Sequence, residues 1–157
     1  MWRAKKDRGE FPNAEPGSRT ARMLDSMDHY VATFADAPVV VLPCMIRYRE
    51  PTVTEGASIY PAVQNLLLGA RSVGLGGAIT MFHQTREAKI AKVLGLPENA
   101  FVAATVTLGV PAGRHGPVRR RPLGDVVFED RWDESAVWAV DPEGTRFSAG
   151  PKGATNP

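Results

Sequence analysis

The stretch SIYPAVQNLLLGARSVGLGG, Ser58 to Gly77, decides what kind of domain this chain builds. Ile59, Val63, Leu66, Leu67, Ala70 and Val73 recur at spacings of three and four, which is one buried stripe of an α-helix. Ser58 stands where an N-cap is expected, and Pro61 falls in the first turn, whose N–H groups have no intrahelical partner. Ala62, Gly69 and Ala70 are small, so this helix can approach a neighbour closely. Gly74, Gly76 and Gly77 end it and open a short extended piece, AITMF.

Outward from this helix the pattern alternates between apolar runs and amphipathic segments. VVVLPCMI, residues 39 to 46, is continuous, rich in β-branched residues and reads as a strand buried on both faces. Pro43 offers no N–H, so a bend or an end is expected there. AFVAATVTLGV, residues 100 to 110, reads as a second buried strand. Met23, Met27, Tyr30, Val31 and Phe34 predict a helix from Thr20 to the DAP at residues 36–38. TREAKIAKVLGLP predicts another, with Ile90, Val93 and Leu94 as its stripe, Gly95 as its C′ residue and Pro97 as its stop. LGDVVFEDRW, residues 123 to 132, reads as extended. The order α-β-α-α-β-β predicts an α+β domain, though with few strands for a complete sheet. Residues 1–19 read as an irregular arm, 20–132 as the domain and 133–157 as a flexible tail.

With 157 residues, the chain holds at most one ordinary domain and needs no disulfide staples. Nineteen Lys and Arg against seventeen Asp and Glu leave a formal charge of +2, too little to imply a polyanionic partner. Cys44 is the one cysteine, and with three dispersed histidines it makes no metal-ligand spacing. It reads as a structural thiol, since its nearest basic neighbour is Arg47. The charged opening MWRAKKDRGEFPN lacks a signal peptide's apolar run, and no stretch nears 18 consecutive apolar residues. The expected setting is cytoplasmic, with no membrane partner.

Two features invite a ligand. In GPVRRRPL, Arg119, Arg120 and Arg121 lie between Pro117 and Pro122. In extended backbone Arg119 and Arg121 point one way and Arg120 the other, so the pair makes a fork suited to a phosphate. A solvated basic loop fits the triplet as well. Nucleic-acid binding asks for a broader basic face with aromatic residues, which is missing here. GLGG follows a helix rather than a strand, so it is no dinucleotide fingerprint. It is either a flexible helix end or a place where bare backbone meets a flat ligand. No metal site and no Ser-His-Asp set is legible.

Taken in order, ASIYPAVQNLLLGARSVGLGG, the LGLPE that closes the next helix, AATVTLGVPAG and GPVRRRPLGDVVFEDRW resemble the C-terminal half of the nitroreductase family, in particular its actinobacterial-type members. The likeness covers about Ala37 to Trp132. It implies an α+β nitroreductase-like fold with helices packed on a small mixed sheet, an obligate homodimer and FMN at the subunit interface. It also implies electron transfer from NAD(P)H through FMN to a nitro compound, quinone or similar small-molecule acceptor. Arg119 and Arg121 occupy the place of the pair that grips the FMN phosphate. Gly77, Ala78, Ile79, Thr80 and Met81 match the backbone beside the isoalloxazine ring. The helix from Ser58 takes the place of the dimer-core helix, and the segment after Arg121 that of an arm over the partner subunit. The family's opening RRSxRxF-like motif and its APSxxNxQPW-like loop have no counterpart here, so the fold is expected to be incomplete and the chain truncated. The alternative is a non-catalytic fragment that keeps the dimerisation surface.

Overall fold

The computed structural model describes residues 2–11, 15–113 and 119–147. The chain divides into two compact units, Met1–Ala112 and Gly113–Pro157.

In the first unit, the N-terminal segment is not irregular throughout, because Trp2–Asp7 forms a short helix, α1. Its partner is α2, Arg19–Ala32, whose first turn is capped by Ser18: the hydroxyl accepts the Ala21 N–H at 3.0 Å. Trp2 Nε1 donates to Asp28 of α2 at 2.7 Å, and Lys6 pairs with the same carboxylate. Leu24 of α2 is buried, while Met23 of the expected stripe is 42% exposed. The helix passes through a 3-10 turn, Phe34–Asp36, before Pro38 stops it.

The apolar run 39–46 is two strands, β1 (Val39–Val41) and β2 (Cys44–Ile46), and the run 100–110 is likewise two, β4 (Ala100–Val102) and β5 (Thr105–Gly109). β1 pairs antiparallel with β5 through Val41 and Val106, and β2 antiparallel with β4 through Cys44 and Val102. Three steps on the first run are thus matched by four on the second, the signature of a bulge. It falls where Pro43 has no N–H to give and its carbonyl instead accepts the Ala103 N–H at 2.8 Å. The expectation of a strand buried on both faces fails at β1. Val39 and Val40 are 49% and 45% exposed, because β1 is an edge strand.

Tyr60–Ser72 is helix α3, and Gly76–Thr80 is strand β3, which pairs antiparallel with β5. The sheet order is β1-β5-β3, so the named strands pair antiparallel rather than forming the mixed sheet expected, and the α+β class holds. Ser58 does not cap α3. It ends a 3-10 turn, Glu55–Ser58, and Ile59 takes the cap position without a side-chain bond. Gly74, at φ +83°, supplies the left-handed residue that closes α3, with Leu75 N–H returning to the Ala70 carbonyl at 2.9 Å. Ile59, Val63, Ala103, Ala104 and Val106 form the core, flanked by Leu66, Leu67 and Leu108. Val73 lies outside it, 72% exposed, one turn past the last packed residue of α3.

β5 is the central strand, and its alternation sorts the packing. Val106 points to the α3 side of the sheet and is fully buried. Thr105 and Thr107 point to the other side, where Thr107 Oγ1 meets Tyr30 Oη of α2 at 2.9 Å. Tyr30, Phe34 and Phe82 stack edge-to-face or tilted beside it, with centroids 5.3 to 5.9 Å apart.

After β3 a 3-10 segment, Phe82–Arg86, leads into α4, Glu87–Leu94, which Gly95 closes at φ +64°. Val93 and Leu94 of the expected stripe are 75% and 53% exposed, while Ile90 is half-buried.

In the second unit, the segment 123–132 is not an extended strand. Leu123–Asp125 is a 3-10 turn whose first N–H is held by the Asp141 carboxylate at 3.1 Å. Phe128 bridges to Ser135 around a turn in which Asp130 and Asp133 adopt φ of 61° and 68°. Arg120 bridges to Phe147 and gives its N–H to the Arg146 carbonyl at 3.1 Å. Residues 148–157 of the expected tail lie outside the described residues.

Candidate functional site

Gly77, Ala78, Ile79 and Thr80 form most of β3, and Met81 follows as the residue that opens the next turn. β3 is an edge strand: β5 pairs with one side, and no named strand lies on the other. In an antiparallel pair alternate residues turn both N–H and C=O away from the partner, so this edge offers backbone donors and acceptors outward. Gly77 and Ile79 are exposed. Gly77 itself answers the question raised by GLGG. A Cβ there would lie 2.7 Å from Leu67 Cδ2 of α3, 2.8 Å from Leu108 Cδ2 and 3.3 Å from the Thr107 carbonyl oxygen. The missing side chain is therefore taken up by helix-on-sheet packing, and what remains open to a ligand is the strand edge.

Arg119 and Arg121 lie in the second unit, so the two halves of the expected site fall in different compact units. Arg119, Arg120 and Arg121 are all exposed. Arg121 donates to the Asp125 carbonyl oxygen at 3.4 Å and stands 3.9 Å from that residue's carboxylate, a loose pair that leaves the guanidinium available. His115, Arg114 and Pro117 lie outside the described residues. Among the described residues no cluster of His, Cys, Asp or Glu is arranged to hold a metal ion. Cys44 is exposed rather than buried, its Sγ 3.2 Å from the Leu42 carbonyl oxygen. Its strand, β2, pairs with β4 in a separate two-stranded sheet.

One ion pair is built with more care than any charge pattern in the sequence suggests. Arg47 donates through Nε and Nη2 to the two carboxylate oxygens of Glu55 at 2.9 and 2.8 Å, and its guanidinium lies 3.7 Å from the centre of the Phe101 ring. These bonds hold the Glu55 carboxyl below its ordinary value of 4.5 and raise Arg47. Arg47 stays charged throughout, so the pH dependence is that of Glu55. A depressed carboxylate contributes stability above its ordinary value and loses it as pH falls through the lowered one. Urea unfolding of the chain and of Glu55→Gln is therefore expected to differ at neutral pH, and the difference to shrink as acid protonates the Glu55 carboxylate. A difference that persists unchanged in acid would contradict this assignment.

Comparison with known proteins now places the chain. The model of the nitroreductase family matches residues 3–110, more than half the sequence, and the chain belongs to that family. The match extends upstream of Ala37 and ends short of Arg119. An NADPH-flavin oxidoreductase of Vibrio harveyi is 38% identical over 71 residues, 45% of this chain and 30% of that protein. The solved structure of an NADPH:FMN oxidoreductase from the same organism, in complex with NAD+, superposes with a TM-score of 0.51 at 26% identity, covering 73% of this chain and 57% of the other. A Bacteroides fragilis structure bearing the name oxidoreductase shares the fold, with a TM-score of 0.54 at 22% identity over 73% of this chain and 54% of its own. The chain thus spans a little over half the length of these solved structures. No helix among the described residues is long and apolar enough to cross a membrane.

The donor chemistry fits a flavin. The isoalloxazine ring presents acceptor atoms along one side, and an exposed strand edge answers acceptors with backbone N–H groups. A phosphate tail asks for guanidinium, which Arg119 and Arg121 present at the surface.

Proposed function

We propose that this chain serves a flavin-dependent oxidoreductase of the nitroreductase type, moving electrons from NAD(P)H through FMN to a nitro compound, quinone or similar small acceptor. The observation that carries the reading is the family match over residues 3–110, which contains the whole of the open-edged β3. Hydride acceptance and release is the chemistry the flavin supplies when bound. The chain's own residues position it. The Gly77–Met81 backbone would orient the ring, and N–H groups on the open edge of β3 would favour negative charge on it. Arg119 and Arg121 hold the phosphate. No side chain is assigned a catalytic role.

The reading includes a homodimer. Tyr60 and Leu68 on α3 and Val73 at its C-cap are exposed, as are Val39 and Val40 on the edge strand β1, and burying such apolar surface is what a second copy does. Those same residues support the second reading, a flavin-free module that keeps only the dimerisation surface. Anaerobic addition of NADH or NADPH to the FMN-loaded chain separates the two. Bleaching of the flavin band supports the oxidoreductase. A folded dimer in which FMN is neither retained nor reduced supports the module.

A further inference from the structure

His83 is 4% exposed, and no step of the proposed chemistry uses it. Burying an imidazole is unfavourable unless its polar atoms find partners, so what it bonds to matters. Its Nδ1 lies 3.1 Å from Thr105 Oγ1, with donor and acceptor set by the tautomer. Thr105, also 4% exposed, is the last β5 residue paired with β3, opposite Thr80. Its carbonyl oxygen accepts the Thr80 hydroxyl at 3.4 Å. Between Thr80 and His83 the chain leaves the sheet: Met81 caps the following 3-10 turn, and its carbonyl oxygen accepts the Gln84 N–H at 3.2 Å. One threonine therefore ties down both ends of the four-residue reversal Thr80–His83, one end through its carbonyl and the other through its hydroxyl. The ladder and the packing of the Phe82 ring on Tyr30 and Phe34 also hold this reversal, and the His83 bond adds a polar tie at the open end of the edge strand.

We propose that His83 is a positioning residue, which through Thr105 fixes the Thr80–Phe82 backbone where the ring of FMN meets β3. The proposal rests on the flavin reading for its ligand but not for its mechanics, and the test separates the two. In the ligand-free chain, His83→Leu and Thr105→Val each remove the bond, whereas His83→Asn offers an amide near the place of Nδ1. Amide exchange at Met81 and Phe82 is expected to quicken about tenfold in the first two variants and to return towards the native rate in the third. Exchange in α3 should stay unchanged. The FMN dissociation constant should rise about tenfold in the same two variants and recover in His83→Asn. If His83→Leu does not fold, Thr105→Val carries the test, since valine keeps the shape of threonine. Native exchange at Met81 and Phe82 in the folded variants overturns the proposal, whatever the chain does with FMN. Faster exchange with unaltered FMN affinity overturns it too, leaving His83 a purely structural residue. A native chain that takes up no FMN, yet shows the exchange difference, overturns the flavin reading and reduces the clasp to local architecture.

Discussion

Gly77→Val is expected to lower the unfolding free energy by about 3 kcal/mol, and Gly77→Ala by about 1 kcal/mol. Two opposing effects set these values. Replacing a strand glycine by alanine ordinarily stabilises by roughly 0.5–1 kcal/mol, because the unfolded chain loses freedom. Here the new Cβ would meet Leu67 Cδ2 at 2.7 Å and Leu108 Cδ2 at 2.8 Å. Both leucine methyls sit at the ends of their side chains, but both leucines pack against the core and have little room to turn away. The Thr107 carbonyl at 3.3 Å is backbone and cannot move cheaply. Overpacking therefore wins, and the β-branched valine fares worst. Chemical denaturation midpoints decide the matter. Leu67→Ala in the Gly77→Ala background should recover part of the loss, as coupled neighbours do. A Gly77→Ala chain as stable as the native one would show that α3 does not press on β3 there.

The second large effect falls on FMN affinity. Arg119→Ala and Arg121→Ala should each weaken it about tenfold or more, since charge-assisted bonds to phosphate are the strong ones. Together they should cost on the order of a hundredfold. Arg120→Ala should change little, because its backbone is tied to Arg146 and alternation turns its side chain away from the pair. Stability should stay near native in all three, since the guanidiniums are exposed and the Arg121–Asp125 pair is loose at 3.9 Å. Fluorescence titration with FMN reads the difference. Equal losses at all three positions would refute the alternation on which the assignment to Arg119 and Arg121 stands.

How far these features were legible in the sequence depended on what each residue reports. Val63 and Ala70 announce α3 because a helix face repeats along a contiguous stretch, and Gly74 announces its end because only a left-handed residue closes it there. The runs at 39–46 and 100–110 announce strands but not their division. A bulge is a mismatch between two distant segments, and Pro43 reports only one side of it. Val39, Val93 and Leu94 were expected inside because apolar residues usually are, yet an edge strand and a short outer helix leave them at the surface of a single copy. The Thr105–His83 bond had no signal in the sequence at all, since the two residues lie 22 positions apart and neither type is diagnostic. Arg47 and Glu55 carry opposite charge eight residues apart, but nothing in a polar connection distinguishes a bidentate pair from two solvated ions. The family likeness was legible as an order of blocks, and it reached further towards the N-terminus than the blocks themselves, to residue 3.

Whether this chain holds a flavin is read from the visible absorption spectrum of the purified chain during FMN titration. A saturable shift and sharpening of the flavin bands is expected in the native chain and is expected to be lost in the Arg119→Ala/Arg121→Ala double variant. A chain that is folded by circular dichroism, yet leaves the spectrum of free FMN unaltered throughout the titration, would contradict the flavin reading.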